Sequence, residues 1–170
     1  MITNKSTQQE LIQEINSVFT QFIDMISMLQ NEKINQIPYE NSWTAGQLIN
    51  HVTKSINGVT LTMKMEGQPT PRNGEKITEL KNIFLDFSKK MKSPEEILPD
   101  NKPYEKQKVI SDLQDCFKNL SFYSAYTNLD ELIVGMPFGD VTKYELLHFA
   151  LYHSQRHLRQ MKRIYEAVII

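Results

Sequence analysis

The amino-acid sequence predicts an all-α fold, an antiparallel four-helix bundle with a long crossover that carries a short extra helix. Apolar residues recur at three- and four-residue steps in four long stretches, which is the spacing of an amphipathic helix face. Two of these stretches open with a capping box, a pattern that marks helix starts. No segment alternates apolar and polar residues for long enough to predict a strand. The length of 170 residues suits a single domain, residues 1–170.

The first helix is predicted over residues 7–30. Ser6 with Gln9, or Thr7 with Glu10, has the spacing of a capping box and favours a helix start at this point. The apolar stripe of this helix consists of Leu11, Ile15, Val18, Phe19, Phe22, Ile26 and Leu29.

The second helix has the clearest start in the chain. Thr44 is a good N-cap residue, and Gln47, three positions later, completes a capping box. Trp43 can pack on Leu48 as a hydrophobic staple. We expect the helix to end at Gly67, because glycine readily adopts the left-handed conformation that closes many helices.

A crossover is predicted over residues 67–103, and we interpret it as a connection, not as a second domain. It should carry one short helix over residues 76–91, where apolar residues have helical spacing. Residues 93–96 read as a one-turn helix start, because proline is favoured at the first helical position. Pro99 and Pro103 then favour an extended passage.

The third long helix is predicted over residues 105–126, and a loop separates it from the last helix. Thr142 and Glu145 form a second capping box, and Val141 can staple to Leu146. The buried stripe of the third long helix consists of Val109, Leu113, Cys116, Phe117, Leu120 and Tyr123.

Composition excludes several classes of protein. With 19 Lys and Arg against 20 Asp and Glu, the chain lacks the basic excess of a nucleic-acid-binding domain. A single cysteine, Cys116, excludes an internal disulfide framework and suits a reducing compartment. The apolar pattern around Cys116 favours a packing role over a reactive thiol. No stretch has the pattern of a signal peptide or the length of a membrane span. We therefore expect a soluble, cytoplasmic protein.

The histidines indicate where the chemistry lies. His153 and His157 are four residues apart, so on a helix they differ by about 40° and their rings leave the same face. Two such imidazoles suit one metal ion, and His51 on the second helix can supply a third ligand. His148 lies about 140° from His153 around the helix and cannot join them.

Other interpretations of these histidines stay open at this point. Pairs at this spacing arise by chance, and a single histidine on an apolar helix is often a hydrogen-bonded core residue. The helical zinc motif of metalloproteases requires a glutamate directly after its first histidine. Ser154 occupies that position here, so the sequence excludes a metalloprotease of that type.

Four blocks of sequence, in this order along the chain, resemble the DinB-like superfamily. They are residues 43–51 (WTAGQLINH), 93–99 (SPEEILP), 139–147 (GDVTKYELL) and 153–160 (HSQRHLRQ). The resemblance extends over nearly the whole chain. It implies a four-helix bundle that holds a divalent metal ion on three histidines, one from the second helix and two from the last. The matching positions are His51, His153 and His157.

The resemblance also implies candidate activities. Characterised members of the superfamily include thiol S-transferases that use bacillithiol, glutathione or mycothiol, and a thiol-dependent isomerase. Three functions are therefore expected as alternatives: transfer of a low-molecular-weight thiol to a small electrophile, hydrolysis by metal-activated water, or non-catalytic metal binding in a stress-related bundle. Zinc and nickel both suit an all-imidazole site. The sequence assigns no catalytic or cofactor-binding residue.

Two further expectations concern the helix end and the surface. Arg156 and Arg159 either bind a carboxylate of a thiol cofactor or form a solvated helix face, and we favour the solvated face. The apolar tail, residues 167–170, fits a homodimer contact, which the resemblance also implies, or a C-terminus docked on its own bundle. We expect no nucleic acid and no membrane as partners.

Overall fold

Four long helices form a bundle, as the sequence predicts, and a fifth, short helix lies in the crossover. The structure, a computed structural model, describes residues 3–72 and 74–170, with side chains from residue 8 onward. The α-helices in these residues are α1 (Thr3–Met28), α2 (Ala45–Lys64), α3 (Ile77–Phe84), α4 (Lys106–Tyr126) and α5 (Lys143–Val168). The described residues also contain two 3-10 helices, Asn31–Asn35 and Glu95–Ile97, and two short strands, β1 (Leu132–Ile133) and β2 (Val141–Thr142).

The directions of the helices depart from a simple antiparallel bundle. Gln8 at the start of α1 donates to the Ser124 carbonyl near the end of α4, so α1 and α4 are antiparallel. Thr127, which follows α4, donates to the Met63 carbonyl at the end of α2, and Cys116 lies against the Thr53 carbonyl in the middle of α2. The helices α2 and α4 therefore run parallel, because the crossover returns the chain to the end of the bundle where α2 began.

The helix starts follow the predicted capping boxes. Thr44 accepts from the Gln47 amide at 3.2 Å and Gln47 Oε1 accepts from the Thr44 amide at 3.0 Å. The box at the start of α5 is likewise complete. At the amino terminus, α1 begins at Thr3, before the predicted start at residue 7. The predicted caps of Ser6 and Thr7 rest on side chains outside the described part of the chain.

The crossover helix is shorter than predicted. It ends at Phe84, although the apolar spacing predicted a helix to residue 91. The reason is that the Arg156 guanidinium takes the carbonyl oxygens of Phe84 and Asp86, which in a helix continuing to residue 91 would accept from amides four residues later. It also takes the carbonyl oxygen of Lys89. The one-turn start predicted at 93–96 corresponds to the 3-10 helix Glu95–Ile97.

The loop before α5 contains a feature that the periodicity did not predict. The strands β1 and β2 pair antiparallel, with Leu132 opposite Thr142, and Gln68 bridges to Leu132 on the other side. Strands of two residues are too short to show an alternating pattern in sequence.

The apolar stripes predicted for the long helices meet in one core. Buried members include Ile15, Phe19, Phe22, Leu48, Val52, Ile56, Leu113, Leu120, Leu147 and Met161. At the carboxyl end Val168 is fully buried, whereas Ile169 and Ile170 are exposed. Within the described residues, every helix falls short of the length and apolar character needed to cross a membrane.

Candidate metal centre

The packing of α2 against α5 brings three predicted site residues together. The two helices are antiparallel, since Lys143 at the start of α5 reaches the Met65 carbonyl just beyond the end of α2. The Nε2 atom of His51 lies 3.3 Å from Nε2 of His153 and 3.0 Å from Nε2 of His157. All three side chains are buried, and their ligand atoms lie within 4.8 Å of one another.

Two of the rings are oriented by hydrogen bonds at their other nitrogen. Nδ1 of His51 bonds to the Ile97 carbonyl at 2.8 Å, and Nδ1 of His157 bonds to Oε1 of Gln160 at 2.9 Å. Nδ1 of His153 is buried and has no hydrogen-bond partner among the described residues. Acceptors at the nitrogen that faces away from a metal hold metal-binding imidazoles in one orientation and one tautomer.

These bonds determine which nitrogen carries the proton in His51 and in His157. A carbonyl oxygen only accepts, so Nδ1 of His51 donates to Ile97 and the neutral ring presents a lone pair at Nε2. The bond from His157 to Gln160 has the same consequence. Two lone pairs then face each other across 3.0 Å, which is repulsive unless a proton or a cation lies between them.

A proton shared between the two nitrogens is unfavourable at this position. Burial lowers the pKa of His157 from its usual 6.5 to about 3. Burial also lowers the pKa values of His51 and His153. The positive charge of Lys54 lowers the pKa of His51 further, and that of Arg156 lowers the pKa of His153 further. The three imidazoles are therefore neutral near pH 7, which is the form that binds metals.

The cluster fits a divalent metal ion by donor type and spacing. Two imidazole nitrogens on one tetrahedral ion, each bound at about 2.0–2.1 Å, lie roughly 3.3 Å apart. The observed separations of 3.0 and 3.3 Å from His51 are close to that spacing. A set of three imidazoles also leaves coordination positions free for water or substrate, as in catalytic zinc sites.

Aromatic rings surround the cluster. The indole of Trp43 lies 4.9 Å from the His51 ring and 6.4 Å from the His157 ring, between centroids. The rings of Phe84 and Phe149 lie 6.1 and 5.2 Å from that of His153, between centroids. Sequence reasoning assigned Trp43 to a staple at the helix start and missed these contacts, and its place in one block with His51 was the only signal.

His148 lies apart from the cluster, as predicted. Its Nδ1 lies 3.3 Å from the Tyr152 hydroxyl, and its ring packs against that of Tyr144 with 4.9 Å between centroids. The carboxylate nearest in sequence, Glu145, is fully buried and occupied elsewhere. It accepts from the amides of Thr142 and Lys76 and forms an ion pair with Arg72 at 3.1 Å.

The remaining sequence candidates also have structural partners. Arg156 is half-buried and donates to three crossover carbonyls, so it does not belong to the favoured solvated face. Arg159 is exposed, as favoured, and stacks over Phe87 at 4.3 Å. Cys116 is buried, and burial raises the pKa of its thiol to about 12, which agrees with the predicted packing role.

Comparison with known proteins agrees with the resemblance found in the sequence. The profile of the DinB superfamily matches residues 17–161. TT2238, described as a four-helix bundle protein, superposes with a TM-score of 0.59 at 13% identity over 91% of this chain and 98% of its own. YfiT from Bacillus subtilis, described as a probable metal-dependent hydrolase with an unusual four-helix bundle topology, has a TM-score of 0.61 at 13% identity, over 96% of this chain and 88% of its own. No curated protein sequence matches the chain. Because the family profile extends over most of its length, the chain belongs to the DinB superfamily.

Proposed function

We propose that this protein is an enzyme that depends on a divalent metal ion held by His51, His153 and His157, and that it transfers a low-molecular-weight thiol to an electrophile. The observation that carries the proposal is the convergence of three neutral imidazole nitrogens at one buried point. Zinc and nickel are the ions we expect, since both bind imidazole well.

The residues of the chain have separate tasks in this proposal. The Ile97 carbonyl and Gln160 keep two of the imidazoles neutral and oriented toward the ion. Trp43 and Phe84 shield the site from bulk water, which strengthens electrostatic interactions inside it. When bound, the ion supplies a positive charge that lowers the pKa of a coordinated thiol or water.

Thiol transfer needs less from the protein than hydrolysis does. A thiol has a pKa near 8.5 and ionises readily beside a metal, whereas attack by water usually requires a general base. Among the described residues, the hydrogen-bond partners of the three imidazoles are a carbonyl and an amide, not a carboxylate. Glu145 is committed to Arg72 and to backbone amides. The cations near the cluster, Lys54 and Arg156, favour an anionic thiolate.

Two alternatives each have one supporting observation. The fold is similar to that of YfiT, which is described as a probable metal-dependent hydrolase, and this supports metal-assisted hydrolysis. The aromatic rings close around the histidines support a non-catalytic metal-binding role. A cytoplasmic location, a single domain over residues 1–170 and a homodimer stay predictions, and light scattering tests the dimer.

Metal content tests the first part of the proposal. Elemental analysis of the purified protein should find about one divalent ion per chain, and replacing His51, His153 or His157 by alanine should largely remove it. His148→Ala is the matched control, because this histidine lies on the same helix as two of the ligands but outside the cluster. Metal-free wild-type protein after growth and loading with zinc or nickel would contradict the proposal.

A reaction panel tests the second part. The metal-loaded protein is offered small thiols with a chloronitroarene or monochlorobimane, and conjugate formation is followed. Turnover that requires both a thiol and His153 supports transfer. Ester hydrolysis without a thiol supports the hydrolase instead, and inactivity in both assays with metal bound leaves the binding role.

A further inference from the structure

The crossover is attached to the bundle by residues that neighbour the three histidines. Arg156, which precedes His157, donates to the carbonyl oxygens of Phe84 at 3.2 Å, Asp86 at 3.0 Å and Lys89 at 2.5 Å. These carbonyls lie at and beyond the end of α3, where a helix leaves its last acceptors without intrahelical partners. One guanidinium thus holds the first half of the crossover against the helix that carries two of the histidines.

The second half is held from α2 in the same way. Lys54, three residues after His51, donates to the Leu98 carbonyl at 2.8 Å and to Asp100 at 2.7 Å. Asn50, which precedes His51, accepts from the Asp100 amide at 3.0 Å. Between these contacts, His51 itself bonds to the Ile97 carbonyl.

Few apolar contacts hold this segment, chiefly those of Leu85 with the core and of Phe87 with Arg159. Phe84 and Tyr104 are buried, but none of the residues 85–103, all of which the structure describes, is buried. The polar contacts of Arg156, Lys54 and Asn50 are therefore the main ties between residues 85–100 and the two histidine-bearing helices.

We propose that residues 85–100 form a strap over the metal site, and that Arg156 and Lys54 are positioning residues that act on metal binding through it. The inference rests on the proposed function and adds a coupling to it. When the strap is docked, the Ile97 carbonyl holds His51 in the tautomer that presents Nε2 to the ion. Because coupling between two equilibria is reciprocal, a bound ion stabilises the docked strap by the same factor.

The direction of the expected effect separates this coupling from simple electrostatics. Removing a positive charge near a cation site should tighten metal binding if charge alone matters. If the strap matters, Arg156→Ala and Lys54→Met should weaken metal binding by about 10-fold or more, the usual effect of disturbing the hydrogen-bond partner of a metal-binding histidine. Arg163→Ala is the matched control, since Arg163 is exposed on the same helix and stacks over Tyr39, outside the strap.

The experiment measures zinc affinity by chelator competition and amide hydrogen exchange across residues 85–100, with and without zinc. Circular dichroism checks the fold, and Arg156→Lys, which keeps the charge, replaces the alanine variant if that variant does not fold. Weaker binding in the two variants, an unchanged control, and slower exchange of the strap with zinc in wild type support the proposal. Unchanged or tighter zinc binding in the folded variants, or strap exchange that zinc does not alter, overturns the strap proposal and leaves the proposed function standing. A wild-type protein that binds neither zinc nor nickel overturns the proposed function together with the strap.

Discussion

Acid should destabilise the metal-free protein through its buried histidines, and His157 allows the size of the effect to be worked out. Burial lowers the folded-state pKa of His157 to about 3, whereas the unfolded imidazole binds a proton near pH 6.5. Because the folded pKa is the lower one, the unfolded state binds more protons between these values. The contribution of His157 to the free energy of unfolding is therefore fully present above about pH 6.5, and it is lost as the pH is lowered toward 3.

The magnitude follows from the two pKa values. At pH 5.0 the imidazole of the unfolded chain is stabilised by about 2 kcal/mol through protonation, while His157 in the folded chain stays neutral. Lowering the pH from 7.5 to 5.0 should thus reduce the free energy of unfolding by about 2 kcal/mol through His157. Burial also lowers the pKa values of His153 and His51, so these residues add to the loss.

The assay is urea unfolding at pH 7.5 and 5.0 in the presence of a chelator. In the variant His157→Gln, which has no titrating ring, the difference in stability between the two pH values should be smaller by about 2 kcal/mol than in wild type. Comparing each protein with itself at the two pH values removes the effect of the substitution on packing. An equal pH dependence in the variant and the wild type would show that His157 is not buried as a neutral imidazole.

Two further predictions concern the partners of the site and of the helix start. Gln160→Ala should weaken zinc binding by about 10-fold in a competition assay, because it removes the hydrogen-bond acceptor of His157. If the Gln160→Ala and Gln155→Ala variants bind zinc with the same affinity, the prediction is wrong. Glu145→Ala should lower the free energy of unfolding by about 3–5 kcal/mol in urea titrations at pH 7.5, because the Arg72 guanidinium and two backbone amides lose a buried acceptor. A loss below about 1 kcal/mol would mean that the buried carboxylate contributes little.

The unusual direction of α4 explains why the crossover is long. A chain that leaves the end of α2 must return to the other end of the bundle before α4 can run parallel to α2. The returning segment lies against α2, and its Ile97 carbonyl accepts a hydrogen bond from Nδ1 of His51. In this bundle the connection that sets the topology therefore also supplies a hydrogen-bond acceptor to the candidate metal centre.

Much of the fold was predictable because the features involved are local. The capping boxes of Thr44 and Thr142 depend on residues three positions apart, and both formed as predicted. The spacing of His153 and His157 places both rings on one face of any helix. His51 was proposed as a third ligand from its place on the second helix, and the resemblance implied the same three positions. The packing of α2 on α5 brings the three rings together.

The features that escaped prediction depend on contacts between distant parts of the chain. The early end of α3 results from Arg156, which lies 72 residues after Phe84, and the orientation of His51 results from a carbonyl 46 residues away. The stacking of Trp43 on His157 and the parallel run of α2 and α4 are likewise products of packing. Local sequence specifies helices and the faces they present, since those depend on neighbours within about one turn. The folding of the whole bundle decides which of these faces meet and which backbone groups then complete the site.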